Sequence, residues 1–422
     1  MTLSAEAIDA SARKTDAGFR KGELVTELVS EHDIQGLART LENDVIAWRR
    51  HFHRHPELSF QETETANFVE ETLRSFEGLE ITRPTDTSVM ARLAGAGPGR
   101  TVALRADIDA LPISEENTFD FASVRPGVMH ACGHDGHTAM LLGVAQIMSR
   151  LREKFVGEAR FVFQHAEELP PGGARDLVLA GVMDGVDAVI GCHLISMLES
   201  GKVAVITGPA MAAADFFSIA IRGTGGHAAF PHETVDPVAV AAQVITNLQH
   251  VISRQTDPQE SAVVSIAKIS GGTADNVIPE TVEMSGTMRT FSLEMRERTR
   301  EAVERVVRGV TEAHGSTFDM DYKIGYDPVV NDEPVAAIVA SSARDEVGVD
   351  GVVDIPPLLG GDDFSAYLGK APGTYFFVGT RNETVGSTFP HHHPRFTLDE
   401  ASLPIGIRVF VRSTLQLLSS PS

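Results

Sequence analysis

Between residues 101 and 194 three short β-prone runs, TVALRADIDALPI, EARFVFQHAEE and DAVIGCHL, each pass directly into acidic or histidine residues. In the first, the apolar stretch from Val102 ends in the carboxylates of Asp107 and Asp109. That is the pattern of a parallel strand buried on both faces, polar only at its C-terminal end. Open α/β sheets bind ligands beyond the carboxyl ends of their strands, so the repeated pattern predicts one sheet with its chemistry along one edge. A further stretch, HACGHDGH at 130–137, packs three histidines, a thiol and an aspartate into eight positions. It leads into TAMLLGVAQIMSRL, where Met140, Leu141, Val144, Ala145, Met148 and Leu151 recur at helical spacing. The cluster is therefore expected in a strand-to-helix loop.

The middle of the chain reads differently. DFFSIAIRG alternates at Phe217, Ile219 and Ile221, and a helix follows with Asp236 as N-cap and Pro237 in its first position. The strands SAVVSIAKISGG and TVEMSGTMRTF come next, then a helix from Ser292 to Gly315 and the strand TFDMDYKIGY. The order βαββαβ predicts a ferredoxin-like domain over about residues 213–325. It would be inserted in a larger, mostly parallel-sheet α/β domain made of residues 1–212 and 326–422. That larger domain opens with a helical region from about Gly36 to Phe76, interrupted at Pro56, and closes with a helix of about residues 400–418.

A length of 422 residues also favours two domains over one core. The net charge of -22 repels nucleic acid phosphates and anionic lipid surfaces, so a small-molecule substrate is expected. The first residues contain no apolar leader and the chain no 18-residue apolar run, which makes the cytoplasm the expected location. Two cysteines in so long a chain form no disulfide framework.

Cys132 reads as a nucleophile, a metal ligand or a buried small residue. Its neighbours favour the second. Cys132 and His134, one residue apart, suit a single centre, and Glu167, Glu168, His193 and the run His391, His392 and His393 add donors from other strand ends. Mixed thiolate, imidazole and carboxylate donors suit zinc and its first-row neighbours in an open catalytic site. The adjacent glutamates point to opposite sides of an extended segment, so one is free to bind metal while the other faces water as a base. Cys192 reads as packing, and His53 and His55 as structural hydrogen-bonding residues. His137 reads as a helix-start residue behind the metal ligands. Asp107 is expected to orient a ligand histidine from behind.

The motifs RRHFHRHPELSFQETET, LRADIDALPI, HACGHDGHTAMLLG, AEE, GGHAAFPH, DNVIPE, GTMRTF and HHPRF resemble those of the metal-dependent amidohydrolases that include hippurate hydrolases, N-acyl-amino-acid aminoacylases and auxin-conjugate hydrolases. These belong to the aminoacylase and desuccinylase metallopeptidase superfamily, and the resemblance runs from about residue 45 to 415. It implies a dinuclear catalytic domain with an inserted lid and dimerisation domain, hence a homodimer or a tetramer. It further implies that Cys132 bridges two divalent metals, with His134 and His193 on one and Glu168 and His392 on the other. Zinc is the first expectation, with manganese, cobalt and nickel as alternatives. Glu167 matches the general base acting on a metal-bound water. His227 matches a lid histidine reaching the partner subunit's site to polarise the scissile carbonyl. Asn276, Arg289 and Gly361 match substrate-binding positions, the first two for the substrate's carboxylate.

The chain departs from that pattern at His165, where proline usually precedes AEE, and at Asp362, where GGDDF replaces GSEDF. After GCHL, ISMLESGKV lacks the usual tryptophan and proline, which alters the acyl pocket. The triple histidine leaves the last ligand open between His391, His392 and His393, and spacing to Pro394 selects His392. The expected activity is hydrolysis of N-acyl amino acids. The rivals are a metallo-carboxydipeptidase, a thiol hydrolase using Cys132 with His134 as base, and a non-enzymatic binding homologue.

Overall fold

The computed structural model of the protein describes Val29 and residues 31–420. Helices α1 (Glu31–Arg54) and α2 (Thr63–Arg74) flank Pro56, whose ring ends helical continuation. The first sheet is built from β1 (Leu79–Thr82), β2 (Val89–Ala94), β3 (Thr101–Asp107), β4 (Glu158–Gln164), β5 (Ala188–Glu199) and β6 (Val203–Val205), with α3 (His134–Arg150) and α4 (Ala174–Leu179) as crossovers. A short β7 (Gly208–Met211) leads into β8 (Ala213–Arg222), β9 (Gly226–His227), α5 (Pro237–His250), β10 (Ala262–Gly271), β11 (Val277–Ile278), β12 (Thr281–Thr290), α6 (Leu293–Ala313) and β13 (Thr317–Tyr326). The chain returns through β14 (Val329–Asn331), α7 (Glu333–Val347), α8 (Ser365–Leu368), β15 (Gly373–Arg381) and α9 (Leu403–Ser419).

The first sheet has the order β1-β2-β4-β3-β5-β15-β6. Its four central strands, β4, β3, β5 and β15, run parallel, and the antiparallel strands lie towards the edges. The sequence dictates this placement. Val102 and Leu104 of β3, Phe161 and Phe163 of β4, Ile190 of β5 and Phe376 of β15 enter one core with α1, α3 and α9. Ala103, Val162, Val189 and Phe377, one residue out of phase, enter the core on the opposite face. Strands buried on both faces cannot sit at an edge, and parallel pairing between helical layers is the arrangement that buries them.

The second sheet, ordered β10-β12-β8-β13, is antiparallel throughout. In chain order this is 2-3-1-4, with α5 and α6 as the two crossovers of a βαββαβ unit. Phe217, Ile219 and Ile221 of β8 alternate into a core with Val240, Val244 and Val307 of the two helices. Asp236 caps α5 by accepting from the amides of Val238 and Ala239, and Ser292 caps α6 through the Met295 amide.

Two local expectations are corrected. Only residues 130–133 of the HACGHDGH cluster lie in the loop, because α3 already begins at His134. His193 is not past the end of its strand. β5 continues to Glu199 because Leu194 and Ile195 keep pairing with Val378 and Gly379 of β15, while the β3 ladder ends at Arg105↔Gly191. His193 therefore reaches the same edge of the sheet, two residues beyond its last partner on β3. No helix among the described residues is long and apolar enough to cross a membrane.

Gly191 makes this edge possible. A Cβ there would lie 2.5 Å from Tyr375 and 2.8 Å from Phe364, two rings stacked against the strand. Gly191→Ala is expected to cost about 1–3 kcal/mol through overpacking. The measurement is the midpoint of thermal or urea unfolding, which should fall relative to the parent chain.

Candidate metal centre

Gly133, at φ 99°, turns the chain between Cys132 and His134 in a conformation that side chains resist. The His134 ring is fixed from behind. Its Nδ1 lies 3.0 Å from the Asp109 carbonyl and 3.1 Å from the Asp109 carboxylate. Both are acceptors, so Nδ1 donates and Nε2 is the nitrogen left to face forward. His193 is arranged alike, with Nδ1 2.9 Å from the Leu194 carbonyl and Nε2 3.6 Å from Cys132 Sγ. Two histidines thus turn Nε2 forward, the nitrogen left free for a metal.

Glu168 enters from the loop after β4, and its amide donates to Asp109 Oδ2 at 2.9 Å. Its Oε1 lies 3.3 Å from His392 Nε2 and 3.8 Å from His134 Nε2. Both Glu168 Oε1 and His134 Nε2 are buried without a hydrogen-bond partner. Cys132, His134 and His193 have ligand atoms within 4.8 Å of one another, and so do Cys132, Glu168 and His392. The two triads share the Cys132 sulfur. Orphaned donors of this chemistry, converging on one thiol, fit divalent metal ions.

The triple histidine separates by geometry. His391 Nε2 accepts from the Ser196 amide at 3.1 Å, and His393 Nδ1 accepts from the Arg395 amide at 3.0 Å while its ring stacks on Phe389. His392, at φ 64°, is the one that faces Glu168.

Glu167 stands between two sets of groups: its carboxylate lies within 4.8 Å of a His134 ring nitrogen and a Glu168 oxygen, and also within 4.8 Å of the carboxylates of Asp362 and Asp363. The left-handed Ala166, at φ 51°, precedes it. Burial, then the charges of Asp362, Glu168 and Asp363, push Glu167 well above the usual carboxylate range. Beneath it, the buried Arg105 guanidinium lies 2.6 Å from Asp107, 2.8 Å from Asp363 and 3.2 Å from Asp362. Its Nε also donates to Gln164 Oε1 at 2.8 Å. Even so, burial and the charge of Asp362 raise Asp363 to about 7.

The local field is anionic. Burial and then Glu168, Glu167 and Asp107 push the Cys132 thiol up. Burial opposes charge on His134, but Asp107, Asp109 and Glu168 outweigh it and hold the imidazole up at about 10. Reactive nucleophilic cysteines need the opposite, electropositive surroundings, whereas a bound cation reverses the balance here.

Asp107 requires a correction. Its Oδ1 accepts from His137 Nδ1 at 2.6 Å, and His137 Nε2 accepts from the Leu194 amide at 2.9 Å. Both His137 nitrogens are thereby used, so the carboxylate that orients a forward-facing histidine is Asp109. The sequence places two similar aspartates two residues apart, with nothing to tell them apart. Cys192 lies in the core, and His53 is held between Asp135 and Glu115, so both have the structural roles expected of them.

A cavity of about 500 Å³ opens over the centre, within the usual range for small-molecule sites. Cys132, Glu167, Glu168, His193 and His392 line it, as do Arg289, Gly361 and Tyr326. Ile195, Met197, Met211, Leu358 and Phe377 give it an apolar wall. The half-buried Arg289 donates to the Met288 carbonyl at 3.1 Å and to Thr287, with its guanidinium 5.7 Å from the Phe216 ring. Its recorded bonds include no carboxylate. His227 and Asn276 do not line the cavity. They are exposed on the β9–β11 ribbon, where His227 pairs with Val277 and the Ala228 amide donates to the Asn276 carbonyl at 3.0 Å.

Comparison with known proteins agrees with this geometry. The chain is 60% identical over 303 residues to an N-acyl-L-amino acid amidohydrolase of Geobacillus stearothermophilus, covering 72% of this chain and 82% of that one. It is 41% identical over 371 residues to thermostable carboxypeptidase 1 of Saccharolobus solfataricus, covering 87% and 94%. The crystal structure of a dinuclear metal binding peptidase of Bacillus subtilis superposes with a TM-score of 0.78 at 37% identity, over 91% of this chain and 100% of that one. The model of peptidase family M20/M25/M40 matches residues 103–416, and the chain belongs to that family.

Proposed function

We propose that this chain is a metal-dependent amidohydrolase that cleaves N-acyl amino acids into a free amino acid and a carboxylic acid. The observation that carries the reading is the convergence of orphaned His134 Nε2 and Glu168 Oε1 on Cys132, beside the buried Glu167 and the half-buried Arg289. The name of the Geobacillus relative agrees with it. Cys132 would lie between two divalent ions, with His134 and His193 on one and Glu168 and His392 on the other. Zinc suits this donor set first, and manganese, cobalt and nickel remain the alternatives. When bound, such ions polarise the scissile carbonyl and lower the pKa of an attacking water to about 7, from about 15.7 in bulk.

The chain's own residues supply the rest. Glu167 takes the proton of the attacking water and delivers it to the departing nitrogen, a general base turned general acid. Arg289 meets the substrate's carboxylate through its planar fork, with the backbone at Gly361 beside it, and Asn276, exposed on the same ribbon as His227, joins them from the partner subunit. His227 stabilises the oxyanion from the partner subunit of a homodimer formed through the smaller β8–β13 module, or of a tetramer built from such dimers. Its exposure on the ribbon, away from its own cavity, supports that arrangement. The cytoplasm, where thiols stay reduced, suits a site that uses the free Cys132.

The carboxypeptidase name of the Saccharolobus relative favours a second reading, hydrolysis of dipeptides. The apolar wall of Ile195, Met197, Met211, Leu358 and Phe377 favours an acyl group over a charged α-amine at that end. Burial and then the carboxylates around Cys132 push its thiol up, which weighs against the thiol mechanism.

Glu167→Gln should lower kcat by roughly 10²–10⁴-fold while the purified protein keeps its metal, measured by mass spectrometry alongside hydrolysis of an N-acyl amino acid panel. Chelation should abolish parent activity and added metal should restore it; chelator-resistant turnover would overturn the metal reading. Arg289→Ala should act mainly on KM, raising it about 10-fold or more for substrates with a free carboxylate. Hydrolysis of the matching carboxamides should change little, and equal losses on both would remove Arg289 from carboxylate recognition.

A further inference from the structure

The loop that delivers Glu167 and Glu168 is held from outside at every turn. Ala166 adopts φ 51°, a region that residues with a Cβ rarely enter and keep only where surrounding contacts enforce it. Its amide donates to Glu62 Oε1 at 2.7 Å, and its carbonyl accepts from the Gly173 amide at 3.0 Å. The Glu167 carbonyl accepts from the Tyr326 hydroxyl at 2.6 Å, and the Glu168 amide donates to Asp109 at 2.9 Å. The turn sets both carboxylates beside His134, with Glu167 also reaching Asp362 and Asp363 and Glu168 also reaching His392.

Glu62 does not line the cavity. It sits just before α2, fully buried, with Oε2 unpartnered, an expensive place for a carboxylate. Burial and the charge of Asp109 push it up to about 7. Packing alone gives no reason for an acid here, whereas the bond to a strained amide does. Tyr326 is the last residue of β13, the point at which the chain leaves the smaller module. Its hydroxyl therefore ties that module to the backbone of the candidate base.

We propose that Glu62 and Tyr326 are positioning residues that hold loop 165–168 in its left-handed turn, so that Glu167 and Glu168 keep their places beside His134. The inference rests on the reading of Glu167 as base and Glu168 as ligand. It also makes a claim about backbone order that stands without any substrate. Four proteins test it: the parent, Tyr326→Phe, Glu62→Ala and Glu62→Gln, the last retaining an oxygen for the Ala166 amide. Site-resolved amide exchange on the metal-free proteins should speed at Ala166 and Glu168 by about 10-fold or more in Tyr326→Phe and Glu62→Ala, as local opening becomes easier. With metal and an N-acyl amino acid, the same two variants should lose about 10–100-fold in kcat, with KM within about 3-fold, because displacement by about 1 Å suffices for such losses. Glu62→Gln should stay near the parent in both readouts. Unchanged exchange in Tyr326→Phe and Glu62→Ala would overturn the proposal. So would losses in kcat that merely track a lowered melting temperature, or a Glu62→Gln variant as impaired as Glu62→Ala. If the parent hydrolyses no member of the panel, the proposed function fails, and the exchange data alone still decide whether the loop is held.

Discussion

One carboxylate joins the two halves of the metal centre. Asp109 Oδ1 meets His134 Nδ1, and Asp109 Oδ2 accepts from the Glu168 amide and from Ser59 Oγ at 2.7 Å. Burial raises the cost of its charge, and the bonds from His134, the Glu168 amide and Ser59 more than offset it, so the group is held below its ordinary range. A buried anion with all its acceptors engaged has little freedom to move. Since His134 and Glu168 belong to different triads around Cys132, their separation is set by one rigid group. The parallel sheet makes this possible, because Asp109 follows β3 and Glu168 follows β4, two adjacent strands with a fixed ladder.

Strain is concentrated in the same place. The non-glycine residues with left-handed backbone among those described are Phe60, Ala166 and His392. His392 is a candidate ligand, Ala166 precedes the candidate base, and the Phe60 ring meets His165 at 5.5 Å. Such conformations cost of order 1–3 kcal/mol each and persist where the surroundings over-determine them. The two large cores on either face of the sheet supply the rigidity that tolerates this cost.

Much of this was legible in the sequence where a residue's own neighbours decide its fate. β3 and β4 begin and end close to where the apolar runs do, because both faces are buried and the runs are broken only by Arg105 and Arg160, each paired with a carboxylate. The helices after Asp236 and Ser292 announce themselves through caps and periodicity. What escaped depended on distant contacts. Asp107 and Asp109 look alike in sequence, and only folding reveals that one serves His137 and the other His134. Glu62 and Tyr326 meet the catalytic loop from about a hundred or more positions away. α7 was not anticipated, although Asp332 caps it and Pro334 stands near its start. His227 and Asn276 are exposed on the β9–β11 ribbon and do not line the cavity.

The cavity's apolar wall is assembled differently from its metal frame. Met197 and Leu359 are 67% and 46% exposed, and neither bonds to the buried Arg105 and Asp109 groups that fix the catalytic side. Surface substitutions away from such networks usually shift stability by no more than about 0.5 kcal/mol. The exposed part of the wall is thus free to drift, while Ile195, Met211 and Phe377 stay fixed in the core with the frame. One inherited reaction centre is thereby open to repeated retailoring of the molecules it accepts, each step reachable by a single exposed side chain and none requiring the machinery beneath to be rebuilt.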